Sequence, residues 1–122
     1  MQQIPNNKNY DLEDRTLAYA KNVRNYIKNL PKTTSNIEYS KQGIRASSSV
    51  AANYIEANES LSKKDFIFRA KISKKEAKEC RLWLTLSEPT KEQELDRERL
   101  IKESNELMKI FGAIVEKSES HI

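Results

Sequence analysis

Glycine and proline are scarce in this sequence: two glycines and three prolines in 122 residues, with few β-branched runs. That composition favours helix over sheet. Cysteine occurs once, at Cys80, which excludes an intrachain disulfide and a cysteine-built metal cluster and fits a reducing, cytoplasmic setting. Histidine also occurs once, at His121 beside the C-terminal residue, where a general base or metal ligand would lack structural support. A Cys80–His121 dyad would need the tail to fold onto a core helix, so a buried structural cysteine is the expectation. No apolar stretch approaches the roughly 20 residues that span a bilayer, and residues 1–10 lack the apolar run of a signal peptide. No membrane partner is expected. Glycine-rich phosphate loops, G-x-S-x-G, zinc spacings and the Glu-x-x-His pairs of di-iron bundles are missing too. These absences argue for a non-enzymatic protein without a cofactor or metal.

What the chain does have is charge and periodicity. It is 33% charged and 37% hydrophobic, and its apolar residues recur at helical steps, which separates it from a disordered chain. One domain is expected at this length, with about two-thirds of the unfolded surface buried. Residues 1–9 read as a flexible tail. A first helix is expected over about 11–29, with Leu12, Leu17, Tyr19, Ala20, Val23, Tyr26, Ile27 and Leu30 as its stripe. Pro31 stops it. A second runs over about 36–57, capped by Thr34 or Ser35, with small residues on its packing face: Gly43, Ala46, Ser49, Val50 and Asn53. A third runs over about 63–87, capped by Ser62 with Asp65 at the third helical position. Its apolar positions include Phe66, Ile67, Ala70, Ile72, Ala77, Cys80, Trp83, Leu84 and Leu86. Pro89 and Thr90 precede a fourth, over about 91–117, with Gln93 or Glu94 near the capping-box position and a stripe from Leu95 to Val115. Residues 119–122 form the C-terminal tail. Short connections make successive helices antiparallel, so residues 10–118 form an all-α, up-down-up-down four-helix bundle. Adjacent apolar pairs such as Phe66–Ile67 and Leu107–Met108 point either to a second apolar face for oligomerisation or to wide core faces.

The net charge is +4, and its distribution is uneven. Lys63, Lys64, Arg69, Lys71, Lys74, Lys75, Lys78 and Arg81 crowd the third helix against Asp65, Glu76 and Glu79. Such a helix can neutralise phosphates, or it is a solvated face. With no aromatics interleaved on the exposed side, sequence-specific readout of bases is not expected. Glu76 and Glu79, one helical step apart among lysines, read as salt-bridge partners rather than an acid/base pair.

The run QGIRASSSVAANYIEAN at 42–58, KDFI at 64–67, KEAKECRLWL at 75–84 and Leu30-Pro31 resemble the bacterial four-helix-bundle family first associated with intervening sequences in 23S ribosomal RNA genes. The resemblance covers about residues 10–118. Its central pattern is Arg45, Ala46, Ser49, Asn53 and Glu56 here, with Ala57 and Asn58 where many members have glycine. The resemblance implies the same fold and a homopentameric ring. It also implies kinship with the accessory variability protein of diversity-generating retroelements, which binds a reverse transcriptase and nucleic acid. RNA, DNA or such a protein are therefore the expected partners, and an adaptor that touches protein alone is the alternative. On a helix, Arg45, Ser49, Asn53 and Glu56 fall along one face. With Glu76 or Glu79 they are expected to form a polar network that sets register within the bundle or between subunits.

Overall fold

Proline, hydroxyl caps and an amide set the helix ends. The computed structural model describes residues 8–120; the rest of the expected tails, including His121, lies outside the described residues. Helix α1 spans Lys8–Lys28, so residues 8 and 9 are helical rather than part of a tail. Ahead of Pro31 its last turn tightens, with Asn29 and Leu30 donating to the carbonyls of Tyr26 and Ile27. Helix α2 spans Thr34–Asn58, and its cap is Thr33, whose hydroxyl accepts from the Asn36 N–H at 3.1 Å, one residue before the expected candidates. Helix α3 spans Lys63–Leu86, capped as expected by Ser62, which accepts from the Asp65 N–H at 3.0 Å. A 3-10 turn, Lys91–Gln93, then leads into α4, Glu94–Glu119. The Gln93 side chain accepts from the Thr90 N–H at 2.9 Å and donates to the Asn29 carbonyl at 2.6 Å, tying the start of α4 to the end of α1.

The pairings show an antiparallel bundle. Along α2 and α3, Gly43 meets Cys80, Val50 meets Ser73 and Asn53 meets Arg69. Between α1 and α4, Arg15 meets Glu103, while Asn29 just beyond the end of α1 meets Gln93 just before the start of α4. Arg81 meets Asn105 and Lys71 meets Glu119 across α3 and α4. The core holds Tyr19, Val23, Val50, Tyr54, Ala77, Cys80, Leu84, Leu107 and Phe111. Tyr54 meets Phe111 edge-on, ring centres 5.5 Å apart. Among the described residues, no helix is long and apolar enough to cross a membrane.

Several leucines expected inside are exposed: Leu17, Leu86 and Leu95. Beside two of them a hydroxyl takes the core position. Thr16 is buried and donates to the Glu13 carbonyl; Ser87 is buried and donates to the Leu84 carbonyl. With the Ser87 proton used there, the Tyr26 hydroxyl is the donor in its 2.8 Å bond to Ser87. Ser104 donates to Leu100 and accepts from Tyr19 in the same way.

Candidate functional site

Two groups of polar residues on α2 and α3 have distinct surroundings. The first is a ladder between the helices. Glu76 is buried, its side chain 8% exposed. The Arg45 guanidinium reaches it at 3.2 Å, Glu79 at 2.9 Å and the Gln42 amide oxygen at 3.3 Å. One fork thus holds two carboxylates a helical turn apart, the arrangement for which arginine is suited. Two turns further along α2, Asn53 donates to the Ser49 carbonyl and hydroxyl at 3.0 and 2.9 Å and accepts from Arg69 at 3.1 Å. The chain therefore joins Arg45 with Glu76 and Glu79, and Ser49 with Asn53. Arg69, expected on the basic face, belongs to this ladder instead. Glu56 is exposed, and among the described residues its side chain stands apart from the ladder.

The second group is the outward face of α3. Lys64, Lys71, Lys75 and Lys78 fall at steps of seven, four and three, on one side of the helix, and all are exposed. Over fourteen residues they run roughly 21 Å. Lys63 and Lys74 flank them, Lys74 leaning its ammonium toward Gly112 of α4. Arg81 turns away and donates to Asn105 at 2.6 Å. Lys71 pairs with Glu119 at 3.0 Å and Lys75 lies 3.9 Å from Glu76. The Lys71–Glu119 pair, exposed on both sides, contributes at most about 1 kcal/mol, so it yields readily to a stronger anion.

The sequence reading missed Phe68. It was expected that no aromatic sits among the exposed lysines, yet Phe68 is 56% exposed, four residues after Lys64 and three before Lys71. That spacing was the available signal. A surface hollow of about 480 Å³ lies here, lined by Lys63, Lys64, Ile67, Phe68, Lys71 and Glu119. The Arg69 guanidinium lies 5.9 Å from the Phe68 ring centre, at the limit of a cation–π contact.

A third feature is apolar. Ile37, Ile44 and Ile55 are each more than 40% exposed on α2, with Leu17 exposed on α1. Ile37, Ile44 and Ala51 are seven residues apart, and Ile55 continues the stripe by one further turn. The small Ser48 and Ala52 lie beside it, so little stands between this backbone and a neighbour. The α1–α4 seam is the loosest of the bundle. A cleft of about 440 Å³ opens there, lined mainly by Asn22, Asn25, Asn29, Gln93, Asp96 and Arg99.

The buried thiol and phenols are held in their neutral forms. Burial pushes the Cys80 thiol up to about 11, and burial raises Tyr19, Tyr26 and Tyr54 as well. A thiol so placed is a poor nucleophile at neutral pH. Among the described residues, no three His, Cys, Asp or Glu side chains come together as a metal site would require.

Residues 8–113 match the profile of the 23S rRNA-intervening sequence proteins. The fold is similar to a solved structure from Bacteroides thetaiotaomicron VPI-5482, a protein of unknown function from the S23 ribosomal protein family. Identity is 33%, over 84% of this chain and 96% of that one, with a TM-score of 0.74. No curated protein gives a significant match.

Proposed function

The chain belongs to the 23S rRNA-intervening sequence protein family, and on that premise we propose that it is a non-enzymatic, oligomeric interaction scaffold that binds nucleic acid through the basic face of α3. The observation that carries the proposal is the row Lys64, Lys71, Lys75 and Lys78, exposed on one side of one helix. The two arginines of the cluster are engaged elsewhere by Asn53 and Asn105, which leaves a face of lysines, point charges suited to phosphates rather than to base edges. Binding is therefore independent of sequence and governed by counterion release.

The oligomer reading rests on the apolar stripe of Ile37, Ile44 and Ile55 with Leu17. A ring needs two different surfaces that fit one another. The α1–α2 stripe supplies one, and the exposed Leu82 and Leu86 at the far end of α3 supply the other. A homopentamer, as the family resemblance implies, would close such a ring and set several lysine rows around one axis. The same stripe favours a second reading, in which it docks a protein partner such as a reverse transcriptase and nucleic acid is not involved.

Fluorescence anisotropy with labelled RNA and DNA decides between them. The proposal expects binding at low salt that weakens steeply as salt rises, and Lys→Gln changes at Lys71, Lys75 and Lys78 should each reduce the salt slope by about one. No binding at low salt overturns it. A protein partner retained after nuclease treatment supports the second reading.

A further inference from the structure

We infer that the basic face of α3 is built for single-stranded nucleic acid, with one unpaired base stacked on the Phe68 ring and the backbone following Lys71, Lys75 and Lys78. This rests on the nucleic-acid reading above and narrows it to a strand whose bases are free. A row of lysines alone would serve a duplex as well as a single strand, because both present phosphates. Phe68 breaks that equivalence. Its ring is 56% exposed in the middle of the row, and a duplex keeps its base faces stacked inside, where a surface ring cannot reach them. An unpaired base offers its π-face, the surface to which an aromatic side chain in a charged groove binds.

The surroundings of the ring fit a nucleotide. The hollow of about 480 Å³ has an apolar floor from Ile67 and Phe68 and a rim of lysines, so base and phosphate each find a matching surface. The ring also has support from behind. Arg69 lies 5.9 Å from its centre and is held by Asn53 of α2, linking the platform to the polar ladder. Glu119 closes one side of the hollow through Lys71, and a phosphate displacing that exposed pair loses little. The lysines also decide against the same face of a second copy of this chain as occupant. A copy presenting the same surface would set like charges against one another, whereas a polyanion complements them.

Anisotropy with three labelled probes tests this: a short unstructured RNA, the DNA of the same sequence, and the RNA annealed to its complement. At least one single strand should bind more tightly than the duplex. Phe68→Ala should weaken single-strand binding about tenfold, within the range for one stacked base, with the salt slope unchanged because no phosphate contact is removed. Duplex binding should stay as it was. Phe68→Trp should retain binding and show a change in tryptophan emission with the single strand that the parent protein, with only Trp83, does not show. If the duplex binds as well as both single strands, or if Phe68→Ala binds them unchanged, the inference falls while nucleic-acid binding stands. If Phe68→Ala alters the native mass and leaves single-strand affinity unchanged, the ring belongs to a subunit contact and the inference falls as well. If no probe binds at low salt, both readings fall together.

Discussion

Glu76 keeps a carboxylate at 8% exposure between α2 and α3, and its charge is balanced chiefly by the half-exposed Arg45. Removing the arginine leaves the carboxylate buried with only the 3.9 Å contact to Lys75, and stranding a buried charge costs more than losing an exposed pair. Arg45→Met should therefore destabilise the fold by about 2–3 kcal/mol, whereas Glu79→Gln, at the more exposed arm of the fork, should cost under about 1 kcal/mol. Urea denaturation of the two variants checks the ratio. Cys80 gives a second prediction at this scale. Its thiol titrates near 9.0 when unfolded and is pushed up to about 11 by burial. The folded state thus holds the proton where the unfolded state has lost it. The contribution is complete below pH 9 and is lost as pH rises toward 11. Tyr19, Tyr26 and Tyr54, also raised, add to the fall from pH 10 upward. Urea midpoints should be flat from pH 6 to 8.5 and decline above 9, and Cys80→Ala should remove the part of that decline that begins lowest in pH.

At the scale of the elements, Asn36 is the residue on which two connections depend. It is 1% exposed, donates to the carbonyls of Pro31 and Glu88 at 2.9 Å each, and accepts from the Glu88 N–H at 2.8 Å. The α1–α2 and α3–α4 connections are thereby stitched together. Asn36→Ala leaves these backbone groups without their partner and should cost about 2–4 kcal/mol, read as a lowered melting temperature. The two glycines should respond differently to alanine. At Gly112 an added Cβ would sit 3.4 Å from the Lys74 ammonium, ordinary contact with a flexible chain, so Gly112→Ala should stabilise the protein by about 0.5–1 kcal/mol. At Gly43 it would sit 2.9 Å from Ile27 Cδ1, and moving that methyl should offset the helix gain. The helices themselves were legible in the sequence because their end signals are local: Pro31, Ser62 and Gln93 act within a few residues. The inward side of each helix was less legible. Thr16 and Ser87 occupy the core by bonding carbonyls of their own helix, turning Leu17 and Leu86 outward, and hydropathy alone assigns those places the other way round. Asn36 was missed because its partner Glu88 is 52 residues away. In the candidate site, Arg45 with Glu76 and Glu79 was foreseeable from charge and helical face, but the diversion of Arg69 to Asn53 and the exposure of Phe68 depend on how α2 packs against α3.

On the scale of the whole molecule, the large exposed apolar side chains are unevenly spread. Among the described residues, Leu17, Ile37, Ile44, Ile55, Phe68, Leu82 and Leu86 lie on α1, α2 and α3, Leu61 lies in the α2–α3 connection, and Leu95 is the one on α4. A subunit that joined its neighbours through α4 would leave the isoleucine stripe of α2 in water. A subunit that joins its α2 stripe to Leu82 and Leu86 of the next covers both patches, and the lysine row from Lys64 to Lys75 lies on the earlier turns of α3, open to a polyanion. Association and nucleic-acid binding then draw on different residues and can be separated. Ile44→Glu sets a carboxylate in the middle of the stripe, 43% exposed in the single chain, so it should fold with a stability within about 1 kcal/mol of the parent while the native mass falls to that of one subunit. Lys75→Gln should leave the native mass alone and lower affinity for RNA. The loss of assembly should weaken RNA binding too, by more than Lys75→Gln does, because each subunit then offers one lysine row where the proposed ring offers several in one effective volume. Native mass spectrometry and anisotropy on the two variants read these effects independently. A parent protein with the mass of one chain, or an Ile44→Glu variant that keeps the parent's mass, would remove α2 as the joining surface and leave the α3 face to act alone.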